Sequence, residues 1–424
     1  MKFRLKVSKA SCFYFILLTA YLNAVLRISP ESNLTLFRIL IPFSVLLIYF
    51  TSKKQFSQFL FAGALLFISQ LCLHLLTSRV FFRSVTFSTG YFLQYFFHYG
   101  SFLILFYIII CLKKLEGDAF YTHFSAFAEL FVKGMALFIL LYTVILNRQL
   151  NTIPTADNIN NIGCMLAAGS CLILVKAGHD RKQYIWSLLI LFLLYYNDSK
   201  AALFGAIVAI LVHIIIVVSS KIAVGKLLIR RLFILAGMMM AAYVIYRSPV
   251  INGYSLSELT AGVVMRVLRN QPYEFANTSI TYRTNSTIAA LNIIKRTWGL
   301  GTGFGNTARA LKEVMKNVYP TWASSVGYSL HNWWLELMCD FGLPAIFTET
   351  VLFLEAMKAL LYKKLDKDDG RLSTLFLLSF PFWSISASGL TTEFYSLSVL
   401  IFALLITGST SGKRLVFIKS VENH

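Results

Sequence analysis

Apolar runs of close to twenty residues recur along the whole chain, separated by short polar or basic connectors. A run of about 20 apolar residues is enough to cross roughly 30 Å of hydrocarbon as a helix. Backbone polar groups facing lipid must be satisfied internally, so the runs predict helices. They fall at 11–27, 34–50, 56–76, 91–112, 126–146, 158–175, 184–197, 201–219, 232–247, 333–360, 372–388 and 392–408. The fold class expected is all-α: a polytopic membrane protein with about twelve transmembrane helices. The first run follows MKFRLKVSK and resembles a secretory signal, but it lacks an Ala-x-Ala cleavage pattern and reads as an uncleaved helix. The pattern breaks once, at 248–330, between the ninth and tenth spans. There TNSTIAALNIIKRTW (284–298) sets Ile288, Leu291, Ile294 and Trp298 at spacings of three and four, an amphipathic helix lying on the membrane or capping the bundle. ARALKEVMKNV (308–318) is a second, shorter helical pattern. The organisation expected is nine helices in 1–247, an external loop in 248–330, and three helices with a cytoplasmic C-terminus in 331–424.

Composition agrees with this reading and excludes a soluble one. Apolar residues make up 57% and charged residues 14%, against roughly 25% charged in soluble domains. Lys and Arg number 39 against 19 Asp and Glu. Nucleic acid is not needed to explain the excess, because 23 of the 39 cations sit in seven short segments that fall on one side if the spans alternate. That side is cytoplasmic and holds both termini. Alternation requires 184–197 and 201–219 to be separate spans meeting at NDSK on the outer side. The external loop is too long to obey the positive-inside rule, yet it carries eight cations against Glu258, Glu274 and Glu313. A net +5 outside the membrane needs its own explanation. The six cysteines are scattered mostly within apolar runs, with no zinc or redox spacing, and read as small buried apolar residues.

Candidate chemistry gathers around Tyr282–Gly342. GLGTGFG (299–305) is glycine-rich, but a dinucleotide fingerprint needs a preceding strand. Here it follows an amphipathic helix, so it reads as a turn whose glycines take positive φ. Ser329 is a plausible N-cap, which would put His331 in the first turn of the tenth span. The positive end of the helix dipole there favours neutral imidazole, able to accept a proton; an interfacial histidine bonded to a headgroup or loop is the plainer alternative. Arg283 lies in a polar turn just before the amphipathic helix, suited to a phosphate by its bidentate fork or simply solvated. Lys200, in NDSK between two apolar spans, is costly unless it faces a cavity or pairs with Asp198. Glu336 and Asp340 stand one turn apart, with Glu349 and Glu355 deeper in the span. No second acidic cluster supports a metal site, and no metal or cofactor is expected. The remaining histidines, His74 among them, are isolated and read as structural or solvated.

These features in this order resemble the bacterial O-antigen ligase and surface-polysaccharide polymerase superfamily. Arg283 and Gly299 match its Arg-x15-Gly spacing, and WGLGTGFGN its glycine-rich continuation. HNWWLELMCDFG (331–342) resembles the His-Asn-x-x-Leu-Glu…Gly signature that closes the external loop. NDSKAAL (197–203) resembles an earlier Ser-Arg-(Gly/Ala) element, with Lys200 where Arg is usual. HNWWLE stands nearest the polymerases of capsule, exopolysaccharide or teichuronic type.

The resemblance implies a GT-C-like membrane glycosyltransferase on the outer face of the bacterial cytoplasmic membrane. It would transfer saccharide from a polyprenyl diphosphate carrier to a sugar hydroxyl of a second lipid-linked repeat unit, inverting and without a metal. His331 would be the general base. Arg283, Lys200, Arg266 and Arg269 would meet the diphosphate, with Gly299, Asn332 and Glu336 in support. Partners implied are the lipid-linked oligosaccharide, membrane lipids, and a chain-length regulator and flippase. Within the superfamily the alternative is a ligase moving finished polymer onto lipid A core. Outside it, the alternative is a transporter or flippase for the lipid-linked saccharide, though no inverted repeat or mid-span glycine break supports one.

Overall fold

The computed structural model describes residues 8–22, 35–83, 88–148, 159–219, 249–251, 254–271, 278–318, 330, 332–362, 365, 367–384 and 394–410. The expected span 232–247, the basic segments 221–231 and 412–419, Glu274, Ser329, His331 and His424 lie outside these residues.

In chain order the helices are α1 (Lys9–Tyr21), α2 (Leu36–Ile39), α3 (Ile41–Thr51), α4 (Lys53–Leu76), α5 (Thr89–Glu116), α6 (Phe120–Ile139), α7 (Ile159–Ala177), α8 (Gln183–Tyr196) and α9 (Lys200–Ser219). After them come α10 (Leu256–Arg269), α11 (Thr278–Arg296), α12 (Thr307–Val318), α13 (Trp333–Phe341), α14 (Leu343–Tyr362), α15 (Asp368–Trp383) and α16 (Phe394–Thr410). Helices α4 and α6 each run on into a π turn, Thr77–Phe81 and Leu140–Ile145. One departure from all-α is a small antiparallel ladder, β1 (Pro249–Ile251) with β2 (Tyr254–Ser255).

Among the described residues, four helical stretches are long and apolar enough to cross a membrane: Lys53–Phe81, Thr89–Ile145, Asn160–Ala177 and Lys200–Val218. Two of the expected spans are not single helices. The stretch 34–50 divides at Leu40 into α2 and α3. The stretch 333–360 divides at Gly342, whose φ of 80° ends α13 before α14 begins. By contrast, NDSK does separate two helices: α8 ends at Tyr196, Asp198 turns the chain at φ 55°, and α9 starts at Lys200.

The chain forms two compact units, one of residues 1–67, 96–214 and 365–424, the other of 68–95 and 215–364. The first is built around α7, which packs against α6, α8, α15 and α16 and is buried along almost its whole length. Small residues permit this. Gly163 lies directly against Ser199, Gly169 against Val132, and Gly205 against Trp383, where any Cβ would collide. In an apolar solvent, packing of that kind replaces the hydrophobic driving force between helices. Aromatic contacts close the other side: Phe124 stacks on Phe402 with centroids 4.4 Å apart, and the Tyr395 hydroxyl donates to the Ala128 carbonyl at 3.0 Å. The buried carboxylate of Glu129 accepts from Lys133 at 2.6 Å and from Lys176, so this interior charge is paired twice.

The second unit has its own core. The Phe81 and Phe82 turn packs with Ala289, Ala290, Ile293 and Ile294 of α11, Leu311 and Met315 of α12, and Met338 and Cys339 of α13. The amphipathic helix in the loop is therefore real but displaced from the expected 284–298. It begins at Thr278, and its buried face is Ile288, Ala289, Ala290, Ile293 and Ile294, while Leu291 is exposed. Cys111, Cys164, Cys171 and Cys339 are buried, whereas Cys72 is exposed and Cys12 half-buried; all six thiols are free.

Candidate functional site

Helix α11 carries Arg283, which the sequence alone places in a turn before the helix. No glycine or proline interrupts Thr278–Arg296, so the helix extends past Arg283 on its N-terminal side. Arg283 lies on the exposed edge of α11, and its carbonyl accepts from the Thr287 hydroxyl at 2.8 Å. Among the described residues it has no carboxylate partner. Arg296 differs: its guanidinium lies 4.1 Å over the Phe82 ring and donates to Glu313 at 2.9 Å. Arg309 sits 4.5 Å over Tyr91. Arg266 and Arg269 are exposed on α10, with Arg266 donating to the Gln271 side chain at 3.4 Å.

Helix α11 ends in a Schellman motif: the Gly299 amide donates to Ile294 at 2.9 Å and the Trp298 amide to Lys295 at 3.3 Å. The left-handed residue of that motif is Trp298 itself, at φ 53°. It is outside the helix, corrected from its expected place on the amphipathic face, and its ring meets Phe81 edge-on at 5.5 Å.

The glycine-rich segment that follows is a clamp. Gly299, Gly301, Gly303 and Gly305 all have positive φ. The Thr302 amide donates to the Cys339 carbonyl at 2.6 Å and the Gly303 amide to Asp340 at 3.2 Å, both at the C-terminal end of α13. The Leu343 amide, at the start of α14, donates to Gly299 at 2.8 Å. From the α4 side, Thr77 donates to the Thr302 carbonyl at 2.7 Å, and His74 Nδ1 lies 2.8 Å from the Phe304 carbonyl. A phosphate cradle would need those amides turned outward. Here Thr302 and Gly303 give theirs to α13, and the loop is buried.

Asn332, the residue after His331, is the N-cap of α13: its side chain accepts from the Leu335 amide at 3.2 Å. The helix thus starts at Trp333, later than a Ser329 cap would have it. Glu336 lies in its first turn. Burial pushes the Tyr282 hydroxyl of α11 up, the Ser286 side chain lowers it, and the nearby Glu336 carboxylate raises it further. Asp340, one turn on, does not form an open carboxylate pair with Glu336. It is 4% exposed and accepts from the Thr307 hydroxyl at 2.6 Å.

Arg283, Gly299, Asn332 and Glu336 therefore fall in one unit, where α11, the clamp and α13 hold them. Lys200 belongs to the other unit, paired with Asp198 at 3.3 Å with both side chains about 80% exposed. His331 lies outside the described residues. Sequence reasoning missed His74, Thr302 and Thr307 as members of the clamp. Only the glycine spacing marks the segment they brace.

Neither the curated proteins nor the solved structures yield a match to this chain. The family described as O-antigen ligase matches residues 185–348, a stretch running from α8 through NDSK, Arg283 and the clamp into α14. Over that stretch the chain is similar to the O-antigen ligase family, consistent with the O-antigen ligase/polymerase superfamily and with a role in polysaccharide biosynthesis.

Proposed function

We propose that this protein is a polymerase of a bacterial surface polysaccharide. It takes saccharide from a polyprenyl diphosphate carrier, of undecaprenyl type, and joins it to a sugar hydroxyl of a second lipid-linked repeat unit. The observation that carries the reading is Arg283, an arginine with no carboxylate partner among the described residues. It stands on the helix whose end is clamped to α13, the helix that follows His331.

The chemistry asks for cations at the leaving group and a base at the acceptor. The acceptor oxygen attacks C1 of the carrier-linked sugar, the C1–O bond to the diphosphate breaks, and negative charge grows on the leaving oxygen. Arg283 stabilises that charge. His331 takes the proton from the attacking hydroxyl, a contribution of about 10²–10⁴-fold. A single direct displacement inverts the anomeric centre. The exposed setting of the Asp198–Lys200 pair leaves the ammonium able to exchange its partner for a phosphate. This reading sets the active site on the outer face of the cytoplasmic membrane, with 248–330 as its external loop.

The test is a reconstitution in lipid with a labelled polyprenyl-diphosphate repeat unit as the sole substrate. A ladder of products that disappears in His331→Ala is the expected result. The family match favours a second reading, a ligase. No ladder from repeat units alone, with transfer on adding lipid A core, would establish that instead.

A further inference from the structure

The C-terminal half of α10, VVMRVLR (263–269), exposes Val264, Met265 and Leu268, the last 76% accessible. At 3.6 residues per turn these three share a stripe of about 100°. Arg266 and Arg269 are also exposed and follow on the adjoining sector, and this half of the helix carries no acid. A stripe of apolar side chains flanked by cations is the pattern of a helix that lies in the plane of a membrane surface.

A second observation gives the level of the stripe. The Asn292 side chain of α11 donates to the Asn270 side chain just past the end of α10, at 2.6 Å. Trp298 lies six residues further along the same chain, about 9 Å by helical rise. It is 78% exposed in a left-handed conformation where glycine would be unstrained. Its neighbour Gly299 is bonded to Leu343, the first residue of α14. From there Leu343, Phe347 and Leu354 form an outward apolar row down α14. An exposed tryptophan at the head of such a row is the composition of a membrane–water interface. The end of α10 is thus tied to α11 about two turns from Trp298.

We propose that α10 docks on the outer leaflet, with Val264, Met265 and Leu268 at the acyl boundary and Arg266 and Arg269 on anionic phospholipid headgroups. The two arginines then act on the membrane surface instead of the carrier diphosphate. The inference uses the external placement of the loop but not the transfer reaction, so it is tested without substrate.

The experiment places a nitroxide on Leu268→Cys, with Lys316→Cys on α12 as the aqueous reference, in the full chain carrying Cys12→Ser and Cys72→Ser. The protein is reconstituted in vesicles of phosphatidylcholine alone or mixed with phosphatidylglycerol. Collisions with oxygen should exceed those with a water-soluble nickel chelate at 268, with the reverse at 316, and the excess should grow with phosphatidylglycerol. One cation near an anionic surface shifts such an equilibrium about fivefold, so Arg266→Gln with Arg269→Gln should lower the docked fraction ratio roughly thirtyfold. Aqueous access at 268 in both vesicles overturns the proposal. So does shielding from both reagents, which means a protein surface covers the stripe. A lipid signal indifferent to vesicle charge and to the double variant overturns the headgroup assignment.

Discussion

Thr307 donates its hydroxyl hydrogen to Asp340 across 2.6 Å, and the two residues, 33 apart in sequence, join the N-terminus of α12 to the last turn of α13. Thr302 in turn lies 2.8 Å from the Thr307 hydroxyl and 3.1 Å from the Cys339 carbonyl. A buried carboxylate is thus held by the segment that also ends α11. The C-terminal end of α13 is held by this set of bonds. Replacing Thr307 by Val removes the donor and keeps the shape, leaving Asp340 buried without it. The cost should be about 1–3 kcal/mol, visible as a lower midpoint in thermal unfolding of the detergent-solubilised protein. In a double-mutant cycle with Asp340→Asn the two losses should not add.

Glycine replacements should rank by geometry. At Gly303, φ is +75° and a Cβ would stand 2.8 Å from the His74 amide nitrogen; at Gly301, φ is +86° and it would stand 2.7 Å from that of Gly342. Gly117, also at positive φ, has open space around it. Gly117→Ala should therefore cost only the left-handed penalty of about 1–2 kcal/mol, while Gly301→Ala and Gly303→Ala add backbone collisions. Thermal midpoints ordered the other way would show that the loop is not a clamp.

Arg283 is exposed and has no carboxylate partner among the described residues, so Arg283→Ala should leave the unfolding midpoint nearly unchanged. Its effect belongs in transfer, where removing one stabilising group costs about 10²–10³-fold in rate. Arg283→Lys keeps the charge without the fork and should recover part of that. Equal ladders from all three proteins would remove Arg283 from the site.

Asp198 and Lys200 make the opposite comparison. Their pair is surface-exposed, and such pairs contribute about 0–1 kcal/mol. Asp198→Asn should be thermally silent and keep the ladder, whereas Lys200→Ala should lose it and Lys200→Arg retain it. A large drop in unfolding midpoint for Asp198→Asn would mean the pair is structural.

Glu129 is the test for the other unit. Glu129→Leu leaves Lys133 and Lys176, both half-buried, facing each other without their shared carboxylate. Removing one partner of a fully buried ion pair costs about 3–5 kcal/mol, and the partial exposure of both lysines sets the expected loss below that. Glu129→Leu combined with Lys133→Met should recover much of the loss in midpoint.

Much of this architecture follows from local composition. Apolar runs must become helices in lipid, and so α4 to α9 lie where the hydropathy pattern puts them, including the break at NDSK. Four glycines at alternate positions between 299 and 305 likewise announce a loop of positive φ, since no other residue takes that conformation at so little cost. Tertiary contacts decided the rest. Gly342 with Pro344 two residues on is a local signal that breaks the 333–360 run, but it does not tell that Leu300 and the Gly299 carbonyl occupy the space a side chain at 342 would need. Nor can composition pair His74 with Phe304, 230 residues away, or give Trp298 the left-handed turn that Gly299 could have taken. Hydropathy acts along the chain and is legible in it. The clamp, the buried Asp340 and the edge on which Arg283 stands are set by distant segments meeting, and such meetings leave no pattern in either segment alone.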